Sequence, residues 1–286
     1  MAGEGIPGKE VTWRVRDRLV RIPLPAVMGI LNATPDSFHA PSRVTLNEVV
    51  ERAERMLQEG ATFLDIGGAS SRPGSEEISL DAELERSIPI IQALHGKFPE
   101  ALLSIDTTHA RVAQEAVHAG ASMINDITAG LWDEAMLPTV AALGVPYVIM
   151  HMQGAPRTMQ DAPHYTDVVA EVTLFLSQRS NAAHAAGIAD VIIDPGFGFG
   201  KDVDHNYALL AHVQRLTHLH APVLVGLSRK RMINAVLGTS TSEALNGTTV
   251  LNTIALMNGA SILRVHDVRE AVECVKLVHA VRRDQK

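Results

Sequence analysis

Eight short apolar runs in the chain each end on a polar or ionisable side chain, and the chemistry starts there. The endings are Asn32; Asp65 with Gly67-Gly68; Asp106; Asn125-Asp126; His151; Asp194; Ser228-Arg229-Lys230; and Arg264 with His266. Asp65, Asp106 and Asp194 lie inside otherwise apolar runs, where a carboxylate without a ligand or a fixed donor is costly. The set divides into two chemistries. Asp106, Asn125, Asp194 and Lys230 offer carboxylates, an amide and an ammonium, which together can read the N–H edge and the carbonyl of a flat heterocycle. Met150 is either core filler or a soft thioether against such a ring. Asn32, Ser71, Arg72, Arg264 and His266 instead suggest an anion site, since Arg binds phosphate through paired bonds and hydroxyls complete the shell. The Asn32 oxygen is a candidate to help hold Mg²⁺, an ion that keeps several waters and bridges substrate phosphates.

Other motifs fail on inspection. The run Gly196-Phe197-Gly198-Phe199-Gly200-Lys201 looks like a phosphate loop, but Pro195 holds the place of its first Gly and Asp202 follows the Lys. The thirteen His residues contain no HExxH pair. Of these, His205, His212, His218 and His220 read as solvated helix or loop residues. A single cysteine, Cys274, excludes a disulfide scaffold and a Cys-cluster metal site, and suits a reducing compartment.

These strand-end residues need elements to position them. The apolar runs predict strands at 26–31, 63–67, 102–106, 123–126, 146–151, 191–194, 222–227 and 261–265. Their patterns are continuous rather than alternating, as in a parallel sheet buried on both faces. Helical segments lie between them. Ser79 reads as a cap, and Gly60, Gly120, Gly144 and Gly187 read as helix stops. Thr45 to Glu48 reads as a capping box. Strict alternation of eight strands and eight helical segments predicts an α/β fold, a (β/α)₈ TIM barrel, over an open sheet or a two-domain split. Residues 11–25 predict a short N-terminal β-hairpin covering the barrel's bottom, preceded by a flexible segment, 1–10. The chain is thus expected to be one domain over 1–286.

Composition fits this reading. The 286 residues carry 25 basic and 32 acidic side chains, a formal charge of −7, with 46% hydrophobic and only 4% aromatic residues. An acidic, ring-poor chain argues against nucleic-acid binding. No run approaches the length of a membrane span, and no signal-peptide core is visible, so a cytoplasmic protein without a membrane partner is expected.

With these residues in place, the chain resembles the dihydropteroate synthase family across nearly its whole length. The matching segments run in order: 28–38 (MGILNATPDSF), Asp65 to Gly68 with Ser71-Arg72-Pro73-Gly74, Ser104 to Thr107, Ile124 to Ile127, Met150 to Gly154, Asp194 to Lys201, Gly226 to Lys230 and Arg264 to Asp267. The resemblance implies a transferase joining a 6-hydroxymethyl-dihydropterin diphosphate to 4-aminobenzoate, with release of pyrophosphate. It implies that Asp106, Asn125, Asp194 and Lys230 hold the pterin, with Met150 beside it. Asn32 would sit with Mg²⁺ and the diphosphate, and Ser71, Arg72, Arg264 and His266 would bind that diphosphate. Phe38, Ser71, Pro73, Phe199, Ser228 and Arg229 would form the aminobenzoate side, where sulfonamides compete in this family. Asp106, Asp194, Lys230 and Arg264 would carry the catalysis. A homodimer through the last helices, around 271–281, is also implied.

The chain departs from the family pattern in the loop at 39–43, at Ala69, where an acidic residue is usual, and at His109, where a basic one is common. A methyltetrahydrofolate-dependent methyltransferase would share the pterin residues but has no need of Arg72, Arg264 and His266. A non-catalytic pterin-binding protein would be expected to lose Lys230, Asp194 or Arg264, and all three are present.

Overall fold

The apolar runs form parallel strands and the segments between them form helices. The computed structural model describes residues 9–32, 43–68, 78–155, 158–159 and 162–283. In chain order the elements are β1 (Lys9–Val15), β2 (Arg18–Leu24), β3 (Ala26–Asn32), α1 (Arg43–Gln58), β4 (Phe63–Gly67), α2 (Leu80–Lys97), β5 (Leu102–Asp106), α3 (Ala110–Ala119), β6 (Met123–Asp126), α4 (Met136–Leu143), β7 (Tyr147–Met150), α5 (Val168–Ala185), β8 (Val191–Asp194), α6 (Val203–Ala211), α7 (Val213–Leu216), β9 (Leu224–Val225), α8 (Arg231–Leu237), α9 (Leu245–Met257), β10 (Ile262–Val265) and α10 (Val268–Arg283).

The eight-stranded sheet runs β8-β7-β6-β5-β4-β3-β10-β9, all parallel. A bridge between Ile193 and Val223 joins its two ends, so the sheet is a nearly closed barrel. The helices pack outside it against Leu64, Ile66, Leu103, Ile105 and Ile193. Strands β1 and β2 form an antiparallel hairpin. Its Trp13, Ile22 and Leu24 pack under the barrel with Met28, Phe63, Met123, Val148, Ile192, Leu224 and Ile262.

Several expectations need correction. The hairpin includes Lys9 and Glu10, whose partners are Leu24 and Pro23, so the ladder extends into the segment expected to be flexible. The strand expected at 222–227 shrinks to β9, because the chain turns at Arg229 (φ 55°) and the Lys230 N–H returns to the Leu227 carbonyl. The sixth and seventh units, after β8 and β9, carry extra helices rather than one each. Helix α1 starts at Arg43, so Thr45 lies inside it and is not its cap. Ser79 does cap α2, accepting the Ala82 N–H at 3.2 Å.

Candidate active site

Strand alternation decides which polar residues enter the barrel. Phe63, Met123, Ile192 and Ile262 point inward at the floor. The residues two positions further along the same strands are Asp65, Asn125, Asp194 and Arg264. Asn32, Gly67, Asp106 and Asn125 lie abreast across four strands, and Met150 lies abreast of Asp194. Asp126 and His151 fall on the opposite phase. Asp126 accepts bonds from the Thr128 N–H and hydroxyl, the Gly130 N–H and the Tyr147 hydroxyl at 2.6–2.8 Å, which makes it an outer-face clamp.

Arg264 is the hub of the inner set. Its Nε donates to Asp65 Oδ2 at 2.6 Å and its Nη2 to Asp106 Oδ2 at 2.7 Å. The Asn125 amide donates to the same Asp65 oxygen at 3.1 Å. Burial opposes the Arg264 charge, but Asp65 and Asp106 outweigh it and hold its pKa above the ordinary value. Burial pushes the Asp106 carboxyl up to about 7, aided by Asp65, Glu83 and Asp126 and opposed by Arg264. Asp194 is also raised by burial, against the pull of the Gly196 N–H (2.7 Å), Lys230, Arg264 and Lys201. Lys230 is lowered to about 8 by burial and by Arg264, while Asp194 and Asp106 oppose the fall. Its ammonium lies 4.5 Å from the centroid of the Phe199 ring.

The loop after β8 presents Phe199 to this set. Gly196 (φ 68°) and Gly200 (φ 63°) are in the left-handed region, and a Cβ on either would collide with the backbone carbonyl of His151 or Gln153. Lys201, 2% exposed, lies beneath the loop. Its ammonium bonds His151 Nδ1 and the carbonyls of Gly196 and Phe199, each at 2.9 Å. Three acceptors match three ammonium hydrogens, while burial lowers its pKa to about 7. Burial and the Lys201 charge push His151 down to about 3, so its imidazole is neutral. The Lys that gives this run its likeness to a phosphate loop is therefore the loop's own anchor. Asn206 completes the clamp by accepting the Gly198 N–H at 2.7 Å.

On the far side, Ser228 Oγ lies 3.0 Å from His266 Nδ1 and accepts the His266 N–H at 3.2 Å. The Arg229 guanidinium, expected beside aminobenzoate, is spent within the protein. It pairs with both oxygens of Asp267 at 2.9 Å and donates to the carbonyls of Thr241 and Ser242. That arrangement supports a clamp on the Ser228–Lys230 turn. Met150 is buried with Ile127, Met159 and Phe199.

Phe38, Ser71, Arg72 and Pro73 lie outside the described residues, as do Ala69 and the loop at 39–42. No group of three or more His, Cys, Asp or Glu among the described residues is arranged to hold a metal. The single Asn32 amide fits an ion held mainly by substrate phosphates and water, rather than one held by a protein cage. Among His residues read as solvated, His205 is half-buried. It forms a capping box with Asp202 at the start of α6 and packs edge-on against Tyr165, 4.9 Å between centroids. His212 bonds the Ala208 carbonyl, while His218 and His220 are exposed as expected.

Comparison with known proteins places this arrangement. A model of the pterin binding enzyme family matches residues 28–266. The chain is 46% identical to dihydropteroate synthase of Escherichia coli K12 over 259 residues, covering 90% of this chain and 91% of that one. A crystal structure of the Yersinia pestis dihydropteroate synthase in a sulfonamide drug complex superposes with TM-score 0.88 and 43% identity, covering 95% and 99% of the two chains. The Xanthomonas albilineans dihydropteroate synthase in complex with 7,8-dihydropteroate superposes with TM-score 0.82 and 42% identity, covering 94% and 98%.

Proposed function

The chain belongs to the pterin-binding enzyme family, and from that premise we propose that it is a folate-pathway transferase making dihydropteroate. It joins 6-hydroxymethyl-7,8-dihydropterin diphosphate to 4-aminobenzoate and releases pyrophosphate. One observation carries the reading. A heterocycle set (Asp106, Asn125, Asp194, Lys230) and an anion set (Arg264, His266) share one end of the barrel, the end where barrel enzymes do their chemistry.

Asp106, Asn125 and Asp194 bind the pterin edge, Lys230 its carbonyl side, and Met150 lies against the ring. The pterin CH₂–O bond breaks as diphosphate leaves, and the electron-rich ring carries the developing positive charge. Asp106 and Asp194 stabilise that charge from a buried, low-dielectric wall. Arg264 and His266, with Ser71 and Arg72, bind the leaving diphosphate. The neutral aryl amine then attacks the CH₂ carbon, and its proton passes to solvent, so no strong general base is needed. Asn32 would hold Mg²⁺, which when bound supplies charge neutralisation at the diphosphate. Phe199 and Ser228, with Phe38, Ser71 and Pro73, form the aminobenzoate side, where sulfonamides compete. Arg229 acts there by holding the turn that carries Ser228.

The test is pyrophosphate release from the pterin diphosphate, aminobenzoate and Mg²⁺ by purified protein. Release at the level of a heat-treated control refutes the assignment. A homodimer belongs to the same proposal, supported by exposed apolar side chains on the last two helices: Val250, Ile254, Met257, Leu277 and Val281. Sedimentation at a single-chain mass would refute it. No helix among the described residues is long and apolar enough to cross a membrane. The buried, unpaired Cys274 thiol supports a reducing cytoplasm.

A further inference from the structure

Asp65 belongs to neither substrate set, yet it is the most enclosed charge in the site, 0% exposed at the centre of β4. Its Oδ2 receives two donors that serve different subsites: Arg264 Nε at 2.6 Å and the Asn125 amide at 3.1 Å. Its Oδ1 is buried with no hydrogen-bond partner among the described residues. A carboxylate placed only for stability would satisfy both oxygens, since a buried polar atom left unpaired costs free energy. Here one oxygen gathers two side chains from β10 and β6, each two strands away from β4 on opposite sides, and the other goes unanswered. What the arrangement gains is a fixed spacing. The guanidinium beside the leaving group and the amide beside the heterocycle are tied to the same atom.

We propose that Asp65 is a positioning residue that sets the distance and orientation between the diphosphate cation Arg264 and the pterin amide Asn125. The proposal rests on the transferase reading for what the two subsites bind. Asp65 touches neither substrate and acts through the two side chains it holds. Asp106 cannot substitute, because its carboxylate is needed by the pterin, whereas that of Asp65 lies one level deeper on the neighbouring strand.

The test uses the full chain and the variant Asp65→Asn, which keeps the shape and one acceptor but removes the charge. Affinity for pyrophosphate alone and for the free pterin alone is measured by calorimetry, separately from turnover. We expect both to weaken by about tenfold or more, with kcat falling further than either. A third readout is the acid limb of pterin binding. Asp65 is one of the charges that hold the Asp106 carboxyl high, with Glu83 and Asp126, against Arg264. Removing that charge should move the limb to lower pH while Arg264 keeps its place, which separates loss of the Asp65 charge from a general loss of folding.

Loss at only one subsite, or unchanged affinities and limb in a folded variant, overturns the proposal. Should the variant not fold, a crystal structure of the unaltered protein with pterin and pyrophosphate decides. Both Arg264 and Asn125 must still bond Asp65, and an Arg264 that leaves Asp65 refutes the idea. Failure of the wild-type turnover assay would count against the transferase reading alone, because the two binding measurements need no turnover.

Discussion

The floor and the mouth of the barrel are built from the same strands, two residues apart. Phe63 gives way to Asp65, Met123 to Asn125, Ile192 to Asp194 and Ile262 to Arg264. Below the step, the layer is wholly apolar and closed by Trp13, whose ring stacks on Phe63 at 5.8 Å. Above it, every inward side chain in these strands is polar. The floor therefore does more than fill space. Burial is the first cause of the raised Asp106 and Asp194 carboxyls and of the lowered Lys230. A dry floor makes each charge above it dependent on a partner, and so sensitive to a ligand.

Perturbing each layer in turn separates their roles. The largest effect is expected from Trp13→Ala, at the floor. It should cost about 3–5 kcal/mol, the range for deleting a large buried ring, in urea denaturation. Because that ring helps keep the floor dry, the acid limb of kcat/KM in the folded variant should also move to lower pH, toward the ordinary carboxylate range. An unmoved limb would mean that the floor only fills space. Arg264→Ala, at the mouth, should reduce turnover by about 10²–10³-fold, the range for losing one preorganised charge donor. Pyrophosphate binding by calorimetry should weaken in parallel, and unchanged binding would put the anion site elsewhere. Asp194→Asn should weaken pterin binding by about 10²-fold, near the upper end of what a hydrogen bond to a charged group contributes.

A pH profile sharpens the same contrast. The folded Asp106 carboxyl is raised to about 7, above its ordinary value of 3.8. Its protonated form is therefore favoured by the fold, and the stability linked to it is lost as pH rises through about 7. Catalysis runs the other way, since the pterin subsite needs the carboxylate. The substrate-free enzyme should thus lose kcat/KM below about pH 7 while gaining stability, and Asp106→Asn should flatten the stability change. A parallel rise or fall of both would refute the assignment. The smallest effect is expected from His205→Ala. Loss of its capping box should cost about 1 kcal/mol and leave turnover intact.

Most of the fold was legible because continuous apolar runs and helix caps such as Ser79 are local signals. The site was legible wherever a carboxylate interrupted such a run, as at Asp106 and Asp194. What failed to show was anything set by phase or by distant partners. Asp126 and His151 end strands just as the site residues do, yet strand alternation turns them outward. Lys201 looked like a broken phosphate loop, because its three acceptors come from three different residues of the folded loops. Arg229 carries a site-like motif but is drawn to Asp267, 38 residues away. Asp65 was visible as a buried charge, while its two donors, 60 and 199 residues distant, were not.

The hairpin under the barrel has a kinetic consequence. Trp13 and Ile22 precede the barrel in the chain, but the layer they seal includes Leu224 and Ile262, which follow most of it. During synthesis the hairpin's apolar face can meet Met28 and Phe63 early, but its seal is incomplete until Leu224 and Ile262 arrive. Contacts of such long sequence separation slow the search for the native state and expose intermediates to aggregation. The plug that dries the active-site floor is thus completed late, although its hairpin is made before every strand that it seals.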